Sequence, residues 1–220
     1  MNIKSIIFLF TSLFSTFSYA YAQNSENMRF IDAKDLMLLG KGFENTESYY
    51  TRLPLDQKNE IRPELWDLGR NSAGMAVRFY SNTTTVAVKW KISNNFHMNH
   101  MPDTGVKGVD LYSLEDNGQW YYMGTGKPVG VENKVILSDC MERKGREYIL
   151  YLPLYVGIVN LEIGVDSTAE LSLPRNNRLV KCNDGKAIVV YGTSITQGGC
   201  ASRPGMAYTS ILGRMLDREV

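Results

Sequence analysis

The chain has 220 residues, of which 44% are hydrophobic and 21% charged, and its formal net charge is +1. Such values are typical of a globular protein that buries a core. They argue against a nucleic-acid partner, because nucleic-acid binding rests largely on neutralising phosphates and this sequence has no basic cluster.

Residues 1–22 have the pattern of a secretory signal peptide. Lys4 supplies a short positive region, residues 6–17 are apolar apart from Ser and Thr, and Ala20-Tyr21-Ala22 has the form of a cleavage site. The apolar run is shorter than the roughly 20 residues that a membrane helix needs, and no later segment approaches that length. We expect cleavage after Ala22 and an exported protein, periplasmic or extracellular, without stable membrane insertion.

Residues 23–172 predict short strands separated by turn residues. Two segments, 84–92 and 158–165, alternate between apolar and polar or small residues and predict half-buried strands. The residues expected to face the core are Val86, Val88, Trp90, Ile92, Val159, Leu161, Ile163 and Val165, with Ala87, Lys89, Lys91, Asn160, Glu162 and Gly164 on the opposite face. Further strands are predicted at 75–80, 108–114, 119–123, 134–137 and 147–152. Many short strands at this spacing indicate a β-sandwich or jelly roll.

The pattern changes after residue 172. Residues 173–185 are polar and rich in turn formers, which predicts a linker to a second unit that starts at residue 186. Ala187 to Tyr191 is a continuous apolar run and predicts a strand buried on both faces of a sheet. A helix is predicted from about Met206, with one apolar stripe that would pack on that sheet, formed by Tyr208, Ile211, Leu212 and Met215.

The predicted fold class is therefore mainly β, a sandwich followed by the first strand, loop and helix of an α/β domain. Only 35 residues run from residue 186 to the end of the sequence. Because domains typically need 50 or more residues, we expect this α/β domain to be incomplete.

Ser194 stands out as a candidate nucleophile. It follows the predicted buried strand, and open α/β sheets bind their ligands in the crevice beyond the carboxyl ends of the strands. Gly198 and Gly199 allow the backbone to turn sharply after it. An activated serine also needs a base, a partner that orients the base, and donors for the oxyanion. The glycines lack the spacing of a phosphate-binding loop, and no cofactor is predicted.

Two motifs carry a resemblance to a known family. Gly192-Thr193-Ser194-Ile195-Thr196 resembles the first conserved block of the SGNH, or GDSL-type, hydrolases, Gly-Asp-Ser-Ile/Leu-Thr, with Thr193 in place of Asp. Gly108-Val109-Asp110-Leu111-Tyr112 resembles the Gly-x-Asp-Leu-Tyr signature of the β-rich domain at the N-terminus of certain secreted SGNH-type esterases. The resemblance implies a flavodoxin-like second domain, Ser194 as the nucleophile, and an oxyanion loop formed by Gly192, Thr193 and Ser194, whose own N–H is one donor.

The same family takes its base and orienting carboxylate from an Asp-x-x-His block, which is not matched before the sequence ends at Val220. We therefore expect a chain that is truncated after the first block and inactive alone. The parent protein is expected to be a carbohydrate (acetyl) esterase that acts on acylated carbohydrate or another small ester. The alternative is a non-catalytic, glycan-binding β-sandwich, with aromatic residues such as Trp120, Tyr121 and Tyr122 as a sugar platform.

Three further residues are candidates for the substrate cleft. His97 and His100 are the two histidines of the sequence. Their spacing next to Asp103 fits a metal site poorly, because neither a helix nor further ligands accompany it, and no metal is predicted. They are interpreted as loop-packing residues or as part of the cleft surface. Arg203 would pair with an anionic or hydroxyl-rich substrate, or else is a solvated loop residue.

The cysteines Cys140, Cys182 and Cys200 are odd in number, so at most one disulfide can form within the chain. Cys200 lies six residues after Ser194 and has no His or Lys close to it in sequence. It is predicted to be a small buried residue rather than a second nucleophile.

Overall fold

The computed structural model of the chain describes residues 27–175 and 186–220. The predicted signal peptide, most of the predicted linker and Cys182 lie outside these residues. The strands are Met28–Asp32 (β1), Met37–Leu39 (β2), Ala76–Ser81 (β3), Val86–Ile92 (β4), Val109–Leu114 (β5), Trp120–Gly126 (β6), Glu132–Ser138 (β7), Arg146–Tyr151 (β8), Ile158–Asp166 (β9) and Leu171–Ser172 (β10). The α-helices are Pro63–Gly69 (α1), Asp103–Val106 (α2), Ser194–Gln197 (α3) and Tyr208–Leu216 (α4), and short 3-10 helices span Ala33–Asp35, Leu55–Asn59 and Pro204–Met206.

The strands form two antiparallel sheets that face each other. One sheet has the order β1-β9-β4-β7, and the other has the order β10-β3-β8-β5-β6, with β2 added on β3. Side chains of both sheets enter one core, including Val88 and Ile163 from the first sheet and Val77, Leu111 and Leu150 from the second. The predicted β-sandwich is therefore confirmed, and all seven strands predicted within residues 23–172 form.

The alternation predicted for β4 is confirmed at its core positions, although Ala87 on the opposite face is also buried. Val86, Val88, Trp90 and Ile92 are each no more than 2% exposed. This burial is what a strand with one face on the core requires, since successive side chains point to opposite faces.

The alternation predicted for β9 is correct at Leu161, Ile163 and Val165 but wrong at its first position. Val159 is 54% exposed and Ile158 is buried instead. The pairing with β4 shifts here, because Lys91 is opposite Asn160 while Ile92 is opposite Ile158, so Val159 is the extra residue of a β-bulge. Gly164 lies on the outer face as predicted, but it is buried because the ring of Phe30 from β1 covers it, and an added Cβ would lie 2.5 Å from that ring.

The serine segment, residues 186–220, differs from the α/β start predicted for it. The strand predicted at Ala187–Tyr191 is wrong: none of the described strands pairs with these residues, and Val189 and Tyr191 are 90% and 93% exposed. A strand needs a neighbour to satisfy its backbone groups. The backbone N–H of Ile188 instead donates to the carbonyl of Glu219, at 2.9 Å.

The predicted helix forms as α4, two residues later than expected, and it is oriented differently. Its predicted apolar stripe is largely in contact with solvent, with Tyr208 43% and Met215 78% exposed. The helix packs on the outer face of the second sheet through its other side, where Ser210 is buried and Arg214 covers the ring of Tyr112. Neither described part of the chain contains a helix with the length and hydropathy needed to cross a membrane.

Candidate active site

Ser194 is the first residue of α3 and is exposed to solvent. Thr193 precedes the helix in an extended conformation, and the helix ends at Gly198, which has a φ of 100°. Glycine is favoured there because this left-handed conformation is strained for other residues, and a Cβ would also lie 2.9 Å from Leu154. A short, sharply ended turn thus presents Ser194 at the surface.

The sandwich holds this turn through polar contacts. The hydroxyl of Tyr155 donates to the backbone carbonyl of Ser194 at 3.1 Å. The side-chain amide of Gln197 donates to the carbonyl of Leu154 at 2.9 Å, and its oxygen accepts from Arg52 at 3.2 Å. Burial lowers the pKa of the Arg52 guanidinium. The backbone of Ser194 is therefore fixed by residues that lie far from it in sequence.

A second attachment, here called the Asp110 clamp, joins Asp110 of β5 to Arg203 and Gly205. Asp110 is completely buried. One of its carboxylate oxygens accepts the N–H of Gly205 at 3.0 Å and lies 3.0 Å from the Nε of Arg203, a contact that is ionic rather than a hydrogen bond. The other oxygen accepts from the hydroxyl of Thr125. Burial raises the pKa of the Asp110 carboxyl, and these three partners oppose that rise.

Tyr112 and Arg214 complete the surroundings of the clamp. Arg203 donates to the Tyr112 hydroxyl at 3.2 Å, and the Arg214 guanidinium lies 3.9 Å from the centre of the Tyr112 ring. Arg214 also donates to the carbonyl of Gly205 at 2.7 Å. Both polar groups of Gly205 are thus bonded, its N–H by Asp110 and its C=O by Arg214.

Position 205 requires glycine, because its backbone lies very close to the side chains of Tyr112 and Asp110. A Cβ at this position would lie 2.4 Å from the Tyr112 ring and 2.8 Å from a carboxylate oxygen of Asp110. Real Cβ atoms do not approach other atoms so closely, so a larger residue would push the serine segment away from β5.

The loop that contains His97 and His100 leads into α2, and α2 also contacts the serine segment. The hydroxyl of Thr104 donates to the carbonyl of Ser202 at 2.6 Å, and an added Cβ on Gly105 would lie 2.3 Å from the carbonyl oxygen of Ala201. His97 lies 3.0 Å from Asp103, and His100 lies 2.7 Å from its neighbour Asn99. His97 also lies 3.2 Å from the Nζ of Lys107, so the partners of both imidazoles are close to them in sequence.

Both described parts of the chain match known protein families. Residues 28–171 match the family described as GxDLY, the N-terminus of SGNH hydrolase-type esterases. Residues 185–220 match the GDSL-like lipase/acylhydrolase family. The chain belongs to the SGNH hydrolase-type esterases with an N-terminal GxDLY domain.

Two solved structures resemble the chain, and the first of them supports this assignment. A GDSL-like lipase from Bacteroides ovatus ATCC 8483 is 37% identical, with a TM-score of 0.77 over 86% of this chain and 53% of the lipase. The salicylyl-acyltransferase of a tetracycline biosynthetic pathway is 16% identical, with a TM-score of 0.63 over 88% of this chain and 53% of its own, and it shows the fold alone. The chain spans about half the length of these relatives. No curated protein gives a match.

Within this SGNH-type chain, Ser194 makes no hydrogen bond with a histidine or a carboxylate among the described residues. Arg203 lies between the two parts of the chain, and its guanidinium lies 4.2 Å from the centre of the Tyr122 ring. Its role in a substrate cleft, like that of His97 and His100, stays a prediction. Cys200 is exposed, so the prediction that it is buried was wrong.

Several residues that form the contacts between the sandwich and the serine segment were not predicted from the sequence. They are Arg52, Tyr155, Gln197 and Arg214, which carry no local motif. Asp110 and Tyr112 lay within the quoted signature, yet nothing local showed that they contact Arg203 and Gly205. Residues 27–175 and 186–220 contain no group of three or more His, Cys, Asp or Glu side chains arranged to hold a metal ion.

Proposed function

We propose that this chain is the N-terminal portion of a secreted serine ester hydrolase in which Ser194 is the nucleophile. The observation that carries the proposal is the exposed position of Ser194 at the start of α3, within the block Gly192 to Thr196 that matches the hydrolase family. The proposed organisation is a signal peptide cleaved after Ala22, a sandwich over 23–172, a linker over 173–185, and a hydrolase domain that begins at residue 186.

The reaction would proceed by acyl transfer. The Oγ of Ser194 attacks the ester carbonyl while a base takes its proton, the alcohol leaves with a proton, and water then releases the acid and restores the serine. The backbone N–H of Ser194, with the Gly192–Thr193 turn beside it, would donate to the oxyanion. Tyr155 supports this role because its hydrogen bond to the Ser194 carbonyl fixes the orientation of that residue.

The base must come from outside the described contacts of Ser194. His97 and His100 are the two histidines of the sequence, and each contacts polar residues close to it in sequence. General-base catalysis contributes roughly 10²–10⁴-fold, so its loss removes most of the rate. We expect the 220-residue chain alone to show no measurable turnover of p-nitrophenyl acetate.

The proposed substrate is an acylated carbohydrate, such as an acetyl ester, or another small ester. Tyr121 and Tyr122 on the edge strand β6 are 44% and 48% exposed, and Arg203 lies against Tyr122. Exposed aromatic rings suit the apolar faces of sugars, and the Asp110 clamp brings this edge of the sandwich beside the serine segment. The parent enzyme would act without a cofactor and without a nucleic-acid partner.

The same tyrosines favour a second candidate, a glycan-binding sandwich without catalysis. Affinity electrophoresis of the 220-residue chain on a panel of polysaccharides tests it. Retention that is lost in Tyr121→Ala and kept in the distant Ser167→Ala variant would support binding, whereas no retention on any polysaccharide would remove this candidate.

The catalytic proposal is tested with the product of the complete reading frame that contains this chain. Ser194→Ala is expected to lower kcat for p-nitrophenyl acetate and for acetylated xylan by at least about 10³-fold. Ser167→Ala, which alters an exposed serine of the sandwich, is the matched control and should leave kcat unchanged. Full activity in Ser194→Ala would refute the proposed role.

A further inference from the structure

We propose that the Gly-x-Asp-Leu-Tyr signature is an intramolecular docking site for the serine segment, and that Asp110 is a positioning residue for Ser194 rather than a residue that binds substrate. The docking role stands on the contacts of β5 alone. The positioning role also rests on the proposed function of Ser194.

The position of each signature residue fits this role. Val109 and Leu111 are fully buried in the sandwich core, whereas Asp110 and Tyr112 occupy the opposite face of β5. This division follows from the alternation of side chains along a strand. The strand therefore directs its two polar side chains together toward the serine segment, while the apolar ones anchor it in the core.

Gly108 fits the same arrangement. A Cβ there would lie 2.4 Å from the carbonyl oxygen of Thr104 and 2.7 Å from that of Gly126. The absence of a side chain lets β5 begin directly against α2, and Thr104 of α2 is the residue that donates to the carbonyl of Ser202. The first residue of the signature thus brings a second contact with the serine segment into reach.

The Asp110 carboxylate on β5 is completely buried, and its partners are groups of the chain itself. A buried carboxylate is costly unless charge and hydrogen bonds compensate it, and Asp110 obtains this compensation from Arg203, Gly205 and Thr125. With no exposed surface, Asp110 has no oxygen available for a substrate. The occupant of this site is therefore the serine segment itself.

The clamp reaches Ser194 through the short loop between α3 and Gly205. Gly198, at the end of α3, packs where a Cβ would lie 3.1 Å from the Cβ of Ala207 and 2.9 Å from Leu154. Ala207 is buried in the sandwich core two residues after Gly205. If Gly205 moves away from Asp110, Ala207 and Gly198 lose their packing, and the turn that carries Ser194 shifts with them.

Hydrogen–deuterium exchange of the 220-residue chain, followed by mass spectrometry, tests the docking. In Asp110→Asn, one carboxylate oxygen becomes an NH₂ group, which faces a donor from Thr125 or Gly205 and leaves Arg203 without its counter-charge. Exchange over residues 198–212 should rise roughly 10- to 100-fold, the ratio expected when a charge-assisted hydrogen bond is lost, while β4 and β9 stay protected. Asp116→Asn, at a carboxylate that is 92% exposed, is the matched control and should change nothing in this segment.

A rise confined to residues 198–212 supports the docking site, and unchanged exchange there overturns it. If Asp110→Asn loosens the whole sandwich, Arg203→Gln decides, because it removes the ionic partner from a partly exposed position. A local rise in Arg203→Gln supports the proposal, and no rise contradicts it.

Kinetics on the product of the complete reading frame test the positioning role separately. Asp110→Asn should lower kcat by roughly 10- to 100-fold with little change in KM, since a misplaced nucleophile affects the chemical step. A raised KM with unchanged kcat would instead assign Asp110 to substrate binding and overturn the positioning role. If the unaltered product hydrolyses no ester, the proposed function fails while the exchange result still decides the docking site.

Discussion

In the sandwich, Val88 and Leu161 are completely buried, whereas in the serine segment Val189 and Tyr191 are 90% and 93% exposed. The two regions have similarly apolar stretches but use them differently. The sandwich closes its own core from two sheets, so burial of apolar surface drives its folding. The serine segment is attached mainly through polar contacts, those of the Asp110 clamp among them. Its small residue Ala207 enters the core, whereas its larger apolar side chains at Val189 and Tyr191 do not.

The difference shows what each kind of contact achieves. Apolar burial is strong but non-directional, so it holds the sheets together without fixing a particular atom. Charged hydrogen bonds are directional, so a few of them can orient a segment that buries little surface. The Asp110 clamp and the hydrogen bond from Tyr155 therefore determine how Ser194 is presented.

The largest expected effect is the loss of stability when a buried apolar side chain of the sandwich is truncated, compared with the same truncation in the serine segment. Leu161→Ala removes a completely buried side chain and should lower the free energy of unfolding by about 2–5 kcal/mol. Leu216→Ala makes the same chemical change at a half-exposed position of α4 and should cost at most about 0.5 kcal/mol. Urea denaturation measures both. Equal losses of unfolding free energy in the two variants would show that the serine segment shares the hydrophobic core. That result would contradict the difference between the two regions.

A smaller effect is expected at the contact between the regions. Gly205→Ala forces a Cβ to within 2.4 Å of Tyr112 and should cost about 1–3 kcal/mol. The strain can be relieved by release of the serine segment, so limited proteolysis should cut residues 198–220 faster while the sandwich stays intact. Gly130→Ala, where nothing lies within 4 Å of the added Cβ, is the control. Equal cleavage of the two variants would contradict the account of the clamp.

The smallest expected effect is a pH-dependent change in stability from Glu47, which lies in the same connection between β2 and β3 as Arg52. Hydrogen bonds from Arg70 and Lys58 lower the pKa of Glu47 to about 2 from an unperturbed 4.5. Because the folded pKa is the lower one, Glu47 stabilises the fold above about pH 4.5, and this stabilisation is lost as the pH falls toward 2. The melting temperature of the unaltered 220-residue chain should exceed that of Glu47→Gln above pH 5, and the two should become similar near pH 2. A gap independent of pH would show that these ion pairs do not matter.

The sandwich could be predicted from the sequence to a large extent, because alternation along a strand is a local property. The pattern of β4 is correct at every core position. The pattern of β9 fails at Val159 because a bulge depends on the partner strand. Short elements were missed: β10 has two residues, and α1 has seven, although Pro63 at its first position was a usable signal.

The candidate site was predictable only in part, because its geometry depends on contacts that are distant in sequence. The block around Ser194 could be identified from its residues. The contact of Asp110 with Gly205 spans 95 residues, and no local pattern encodes it. The strand predicted at Ala187–Tyr191 failed for a related reason, since an apolar run becomes a strand only beside another strand.

The central claim, that Ser194 is an activated nucleophile, is tested most directly by covalent labelling. The product of the complete reading frame is treated with a fluorophosphonate, whose phosphorus accepts the serine Oγ as fluoride leaves and the base takes the proton. Peptide mass spectrometry then locates the label. We expect modification of Ser194 and none in Ser194→Ala. A label on a different residue, with Ser194 unmodified in a product that hydrolyses esters, would contradict the account.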